Sequence, residues 1–229
     1  MRMGDFVWGG ILAAVLAFMT APATKGVFTA LTVGHPYLMA FAKFCILATM
    51  GELLGRCIMD GRWSRPAGLI WRMSIWGGIG IMVMVLFEVF AQGVASVLAR
   101  GLLPGHGSRL AAAFYASVVA NVSFGPVLMV FHRLTDTYID LSCGIQGRDR
   151  RSPSLDEVIR NVDWHNLVSF VLLKTIPFFW VPAHTLTFYL PGEYRVVSAA
   201  VLSIVVGAIL TLARKYGRKP ENQRISTGA

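Results

Sequence analysis

Six apolar runs dominate this sequence, and each is long enough to cross a lipid bilayer. They cover residues 6–23, 37–58, 69–98, 110–134, 167–189 and 194–214. A spanning helix needs about 20 mainly apolar residues, because the hydrocarbon layer is about 30 Å thick. Inside that layer a helix satisfies all of its own backbone hydrogen bonds. The runs therefore predict an all-α, polytopic membrane helix bundle of six spans, forming a single domain over residues 1–219.

Composition agrees with a membrane protein and argues against nucleic-acid binding. Only 14% of the 229 residues are charged, whereas soluble domains carry roughly 25%. The formal net charge is +9, but the basic residues are spread over short loops rather than gathered on one face or tail. We therefore expect the lipid bilayer, and no nucleic acid, as the main partner. A second copy of the chain or the partners of a membrane complex are further candidates.

The basic residues also predict the orientation of the chain. With six spans both termini lie on one side, which holds fifteen of the 21 Lys and Arg residues, while the opposite side holds four. Cytoplasmic loops carry such an excess of positive charge. We expect both termini on the inner side, cytoplasmic or matrix-facing. The bacterial cytoplasmic membrane is the first choice of location, and an organellar inner membrane is the alternative.

Three segments outside the central spans carry predictions of their own. The first run ends in Ala21-Pro22-Ala23, so residues 1–23 also fit a secretory signal peptide, which would leave five spans. Ser154 and Glu157 form a capping box and predict an amphipathic helix on the inner surface, over about 154–165. The polar tail 220–229 is expected to be disordered.

Charged residues inside the apolar runs are candidates for function, because a charge at the bilayer centre costs roughly 2.5–3.5 kcal/mol. At 1.5 Å per residue, Glu88 lies about 15 Å and Lys43 about 9 Å from the outer ends of their runs. The two form a structural ion pair, or Lys43 reaches outwards, or both line an aqueous cavity. Glu52 and Arg56 are four apart near an inner end and predict a structural pair.

Two histidines stand at polar positions of the later spans. His132 and Asp136 are four apart and form either a hydrogen-bonded pair or a polar helix end. His184 follows Pro182, so it either satisfies freed backbone groups or lines a pore. Pro177 and Pro182 predict a kink in the fifth span. The sequence has no metal-binding histidine pair, nucleophile elbow or phosphate loop. We therefore expect no metal, no cofactor and no enzymatic activity.

Glycines in the second and third spans predict close helix packing. Gly51 and Gly55 form a GxxxG motif, and Gly77, Gly78 and Gly80 cluster in the third span. Small residues let two helix backbones approach each other in a membrane. The motif fits packing within one chain and packing between copies equally well.

Two motifs resemble the Mpv-seventeen and peroxisomal twenty-two-kilodalton membrane protein family. The first joins a Gly-Pro, an aromatic pair and an Asp eleven residues after the Gly, and its positions are Gly125, Pro126, Phe131, His132 and Asp136. The second joins a Trp, two polar positions, a Phe, a Pro and an Arg, and its positions are Trp180, His184, Thr187, Phe188, Pro191 and Arg195, the last two one residue early. Pro182 also lies within this motif.

The chain also departs from the pattern of that family. His132 replaces a Tyr, His184 and Thr187 replace a Gln and an Asn, and the span 69–98 looks like an insertion. The resemblance implies a divergent member, which fits a bacterial homologue. The family is associated with mitochondrial inner and peroxisomal membranes, and channel-like permeability has been proposed for it.

The sequence favours a membrane protein that forms, or contributes to, a pore or carrier for small solutes or ions. We expect Lys43, Glu88, Trp180, His184 and Arg195 to line or shape the path. Glu88 would raise the local concentration of cations, whereas Arg195 at the outer mouth would oppose it or attract anions. The alternative is a non-transporting structural or assembly subunit, which would use the same glycines and ion pair for helix packing.

Overall fold

The computed structural model describes residues 3–143 and 152–217, where all regular elements are helices. The predicted disordered tail, 220–229, lies outside this part of the chain. The α-helices are α1 (Met3–Thr20), α2 (Pro22–Gly34), α3 (Pro36–Asp60), α4 (Leu69–Ala99), α5 (Arg109–Val119), α6 (Gly125–Ser142), α7 (Leu155–Asn161), α8 (Trp164–Asn166), α9 (Val181–Tyr189) and α10 (Gly192–Gly217). Two π-helical segments, Ala120–Phe124 and Leu167–Trp180, join neighbouring α-helices without a break.

Within the described residues, six helical units are long and apolar enough to cross a membrane. They are Met3–Thr20, Pro36–Asp60, Leu69–Ala99, Arg109–Ser142, Trp164–Tyr189 and Gly192–Ile209. The predicted all-α fold with six spans is confirmed, and the chain is an integral membrane protein. Strongly exposed apolar side chains such as Phe178, which is 81% exposed, Leu186 and Trp71 form a surface suited to lipid.

The six units alternate in direction, and the two ends of the bundle carry different residues. We call the end that holds the start of α4 and the last turn of α6 the Arg72 end. The opposite end holds the first turns of α3, α5 and α10, and we call it the Arg195 end. The helix α2 was not predicted from the sequence, and it is only 13 residues long. Its Phe28 is fully buried against Tyr194 of α10, so α2 closes one side of the bundle at the Arg195 end.

The helix α3 forms the centre of the bundle because glycines bring it close to α10 and α4. A Cβ atom on Gly51 would lie 3.0 Å from the Cα atom of Ile204 in α10. A Cβ atom on Gly80 of α4 would lie 2.5 Å from the carbonyl oxygen of Ala40 in α3. The GxxxG motif therefore packs within the chain.

The fifth span continues through Pro177 in π-helical geometry and returns to α-helical geometry at Val181. Pro182 lies in the first turn of α9, where a missing N–H costs little. The two prolines thus mark a change of helix type, while the size of the predicted kink stays a prediction. Short π-helical insertions occur frequently at functional sites.

The segment before the fifth span forms a short helix on the Arg72 end. The hydroxyl of Ser154 accepts a hydrogen bond of 3.2 Å from the N–H of Glu157 and begins α7. Val158 and Val162 are buried against the bundle, whereas Leu155 is exposed. The helix therefore packs on the protein with one apolar side and presents another apolar side chain outwards.

We expect Gly80→Ala to lower the melting temperature of the protein in detergent, because the new methyl group would overlap the backbone of α3. Overpacking of this kind costs about 1–3 kcal/mol. Gly78→Ala is the matched control, since a Cβ atom there meets no other atom within 4 Å. That control should be neutral or stabilised by up to about 1 kcal/mol through helix propensity. Equal melting of the two variants would contradict the packing described here.

Candidate functional site

Polar and aromatic side chains of α4 make contacts near both ends of the bundle. Arg72 and Glu88 are separated by sixteen positions and thus by about 24 Å along the helix, close to the thickness of a hydrocarbon layer. These contacts form three levels: a charged cluster at the Arg72 end, a polar and aromatic layer around His184, and two cavities at the Arg195 end.

The charged cluster is built around a buried arginine. Arg72 is only 1% exposed, and its Nη1 donates to Glu52 Oε1 at 2.9 Å and to Asp136 Oδ1 at 2.5 Å. Its Nη2 donates to Asp140 Oδ1, and its Nε donates to the carbonyl of Ala67 at 3.3 Å. We call Arg72, Glu52, Asp136 and Asp140 the Arg72 cluster. Together they join α3, α4 and α6.

Two pairs predicted from the sequence, Glu52 with Arg56 and His132 with Asp136, have additional or different partners in the structure. The Glu52–Arg56 pair is present at 3.4 Å, but Glu52 also binds Arg72. No hydrogen bond joins His132 to Asp136 in the described part of the chain, because Asp136 is bound to Arg72. His132 instead packs against the ring of Trp76, with 4.2 Å between ring centroids. The fourth span also extends to Ser142 rather than 134, since the last turns of α6 carry carboxylates that bind Arg72.

The second level holds His184 in a largely apolar surrounding. Its Nδ1 lies 3.0 Å from the amide nitrogen of Asn121, and its ring packs against Trp180 at 5.0 Å and Phe87 at 5.2 Å. We call these four residues the His184 layer. One imidazole and one carboxamide thus face each other across α9 and the π-helical segment of the fourth span.

The carbonyl of Val181, next to Pro182, accepts a hydrogen bond from another helix. The hydroxyl of Ser117, fully buried on α5, donates to the carbonyl of Val181 at 2.7 Å. Asn121 Nδ2 in turn donates to the carbonyl of Ser117 at 2.9 Å. In the described part of the chain the His184 ring makes its hydrogen bonds with Asn121 and not with a backbone carbonyl.

The third level consists of two cavities that share Arg195. The first has a volume of about 320 Å³ and holds Arg109, Gln92 and Tyr189 in its wall; we call it the Arg109 cavity. The second has a volume of about 240 Å³ and holds Lys43 and Glu88; we call it the Lys43 cavity.

Lys43 and Glu88 line the same cavity but bind different partners. Lys43 is 7% exposed, and its Nζ donates to Thr32 Oγ1 at 3.0 Å and lies 4.6 Å from the centroid of the Phe28 ring. Glu88 Oε2 is 3.9 Å from Arg195 Nη1, and Glu88 Oε1 accepts from Gln92 at 2.8 Å. The acid is thus associated with Arg195 and not with Lys43.

The depth of Glu88 in the bilayer stays a prediction, but its place in the bundle is given by the Lys43 cavity. The Lys43 cavity is walled by Pro36 and Gly192, the first residues of α3 and α10, so Glu88 lies level with the ends of those helices. The cause is the length of α4, whose last three turns extend beyond them. The side chain of Glu88 is accordingly 60% exposed.

The five residues predicted from the sequence therefore separate into two groups. Lys43, Glu88 and Arg195 line the Lys43 cavity, whereas Trp180 and His184 belong to the His184 layer and line neither cavity.

The motif positions serve several different contacts. Phe188 and Pro191 line the Arg109 cavity. Gly125 approaches Ile176 of the fifth span closely, since a Cβ atom on it would lie 3.3 Å from Ile176 Cδ1. Pro126 lies in the first turn of α6, and Phe131 is exposed.

The sequence interpretation missed Arg72, Asn121 and Arg109 as functional residues. A signal for Arg72 was present, because Asp136 and Asp140 are four apart and share one face of a helix. Two carboxylates on one face at a membrane-spanning segment need a cation from another helix. Asn121 and Arg109 had no comparable signal, since their partners come from distant segments.

Within residues 3–143 and 152–217, no three His, Cys, Asp or Glu side chains form a group that could hold a metal ion. No protein-family model, curated protein or solved structure matches this chain. Membership of the Mpv-seventeen family therefore stays a prediction that depends on its two motifs. The three levels of contact are the basis for a functional proposal.

Replacing Arg72 by glutamine should destabilise the bundle strongly, because it leaves three carboxylates without their shared cation. Removing one partner of a buried ion pair costs roughly 3–5 kcal/mol. Arg160→Gln is the control: its pair with Asp156 at 3.0 Å is largely exposed, so its loss should change stability by about 0.5 kcal/mol or less. Unfolding of both variants in mixed detergent micelles measures the difference. An Arg72→Gln variant as stable as Arg160→Gln would contradict the structural role of the cluster.

Proposed function

We propose that this protein provides a path for small solutes across its membrane, acting as a pore or carrier. The observation that supports the proposal is a pair of aromatic rings, which we call the aromatic barrier, between the two cavities and the His184 layer. Phe188 lines the Arg109 cavity and Phe87 lines the Lys43 cavity, and their ring centroids are 4.7 Å apart. His184 packs against Phe87 and binds Asn121, so a polar pair lies next to an aromatic barrier.

The charges in the cavity walls fit contact with water. A charged side chain in a membrane protein is costly unless it is paired or faces an aqueous space. Lys43, Glu88 and Arg195 meet this condition together at the wall of one cavity. A solute would first exchange part of its hydration shell for these groups.

The aromatic barrier is suited to gating. Hydrophobic constrictions block ions and polar solutes by excluding water, and Phe87 and Phe188 are both buried. The fifth span carries His184 and Phe188, and it contains the π-helical segment with Pro177. A change of helix type in this span would move the barrier relative to α4.

The Arg72 end differs in a way that favours a carrier over a permanently open pore. There the Arg72 cluster joins α3, α4 and α6, and the Trp76–His132 contact lies beside it. The two cavities described above are at the other end. The two cavities give a solute access to the barrier from the Arg195 end.

We also propose that the Arg72 end faces the cytoplasm or the organelle matrix. The excess of basic residues on that side supports this orientation, although some of them lie outside the described residues. The bacterial cytoplasmic membrane is our first choice and an organellar inner membrane the alternative. A divergent relation to the Mpv-seventeen family, with its proposed channel-like permeability, agrees with the same function.

Liposomes holding the purified full chain should release small solutes, and Phe87→Ala should increase the flux severalfold by opening the aromatic barrier. Phe178→Ala is the matched control, because Phe178 has an exposed side chain on the apolar surface. It should leave the flux unchanged.

A folded, correctly inserted protein without flux would overturn the proposal. Stoichiometric membrane partners that copurify with such a protein would then support a structural or assembly subunit.

Glu88→Gln should shift the selectivity of that flux towards anions, because it removes the carboxylate next to Arg195 and leaves both cations of the Lys43 cavity in place. The ratio of chloride to potassium permeability, measured from the reversal potential in planar bilayers, reports the shift. Asp156→Asn, on the exposed face of α7, is the control for a change of net charge. Unchanged selectivity beside an active flux would remove Glu88 from the path.

A further inference from the structure

The Arg109 cavity has two arginines and no acidic residue in its wall. We propose that it binds a small organic anion, with a carboxylate or phosphate group held between Arg109 and Arg195 and an apolar body against the opposite wall. The inference rests on the proposed function in one respect, since it names the class of solute that enters the path. The site itself depends only on the contacts of the two arginines and on the wall of the cavity.

The two guanidinium groups are brought together by the connection between α9 and α10. Arg109 Nη2 donates to the carbonyl of Tyr189 at 3.4 Å, and Arg195 Nε donates to the carbonyl of Leu190 at 3.3 Å. Consecutive residues thus hold two cations that come from different helices. In the described part of the chain no further hydrogen bond uses either guanidinium, so most of their N–H donors remain for a ligand.

The geometry of both arginines is restrained before a ligand arrives. The guanidinium carbon of Arg109 lies 4.8 Å from the centroid of the Tyr189 ring, and that of Arg195 lies 5.8 Å from the Phe188 ring. Stacking on a ring orients the planar donor array, and an arginine fork matches carboxylate and phosphate oxygens. Restraint in the free protein lowers the entropy cost of binding.

The local charge favours an anion further. Glu88 is the acid nearest to Arg195, but its 3.9 Å separation is longer than a hydrogen bond, and it is already bound by Gln92. Arg109 is the first residue of α5, and Arg195 lies in the first turn of α10. The positive ends of both helix dipoles therefore add to the charge of the arginines.

The remaining wall indicates the body of the ligand. It is formed by five alanines and Phe188 and is mainly apolar, and the alanines are Ala91, Ala95, Ala112, Ala113 and Ala116. A volume of about 320 Å³ is at the lower limit of the usual range for ligand pockets. The cavity therefore suits a body of about one aromatic ring beneath the anionic group.

The same anionic chemistry is offered by the headgroups of membrane lipids, because the Arg195 end meets a membrane surface. The test therefore uses phenyl phosphate as a soluble probe and phosphatidic acid as the lipid source. Binding is measured by calorimetry at constant ionic strength on the full chain in phosphatidylcholine nanodiscs. Benzyl alcohol, which lacks the anionic group, is the probe control.

We expect saturable binding of phenyl phosphate and none of benzyl alcohol. Arg109→Gln and Arg195→Gln should each weaken binding by roughly 10-fold or more, as expected for lost hydrogen bonds to a charged group. Arg195→Lys should fall between these and the native protein, since it keeps the charge and loses the fork. Glu88→Gln should strengthen binding, because it removes the carboxylate that competes for Arg195.

Arg100→Gln is the matched control, since Arg100 follows α4 at the same end, is exposed and lines neither cavity. Melting of each variant in the same nanodiscs verifies that it is folded. Absence of saturable binding, or an equal loss in Arg100→Gln and the two cavity variants, overturns the inference.

Adding phosphatidic acid to the nanodiscs separates the two sources. Unchanged affinity for phenyl phosphate supports a soluble solute, whereas competition that requires Arg109 and Arg195 supports the anion site with a lipid as its occupant. Flux in liposomes without phenyl phosphate binding overturns the anion site and retains the proposed path. Binding without flux retains the site and overturns the path.

Discussion

The burial of Arg72 is the constraint on which the rest of the bundle depends. A guanidinium with 1% exposure is tolerated only where carboxylates surround it, and here they come from α3 and α6. The acids differ in their dependence on the arginine, since Asp140 is 37% exposed and Glu52 also pairs with Arg56. Three helices that are distant in sequence are thus held in one register at one end of the molecule.

Close backbone contact carries that register along the bundle. Gly51 and Gly80 let α3 approach α10 and α4 without intervening side chains. In a membrane, where the hydrophobic effect does not drive helices together, such packing is a main source of affinity between them. Because α3 is packed against both α10 and α4, the position of Lys43 in the first half of α3 is fixed as well. The position of the cavities at the Arg195 end is therefore a consequence of contacts made elsewhere in the bundle.

The two ends of the molecule use arginine in different ways. Arg72 is enclosed by acids and its donors are occupied, so it serves the structure. Arg109 and Arg195 are held mainly by main-chain carbonyls and aromatic rings, and the carboxylate of Glu88 lies 3.9 Å from Arg195, beyond hydrogen-bond distance. That difference separates a cluster that stabilises the bundle from a pair of side chains that remain available to a solute. Further inside the bundle, the polar pair of His184 and Asn121 lies beside the aromatic barrier.

The class of the protein and the number of its spans follow from the sequence alone. Those properties depend on local quantities, namely the length of an apolar run and the internal hydrogen bonding of a helix. It also indicated Lys43, Glu88 and Arg195, because a charge within or beside an apolar run is visible without any partner. The partners of these and other polar residues became known from the fold. It joined Arg72 to Asp136, Glu88 to Arg195 and His184 to Asn121, since such pairs depend on which helices become neighbours.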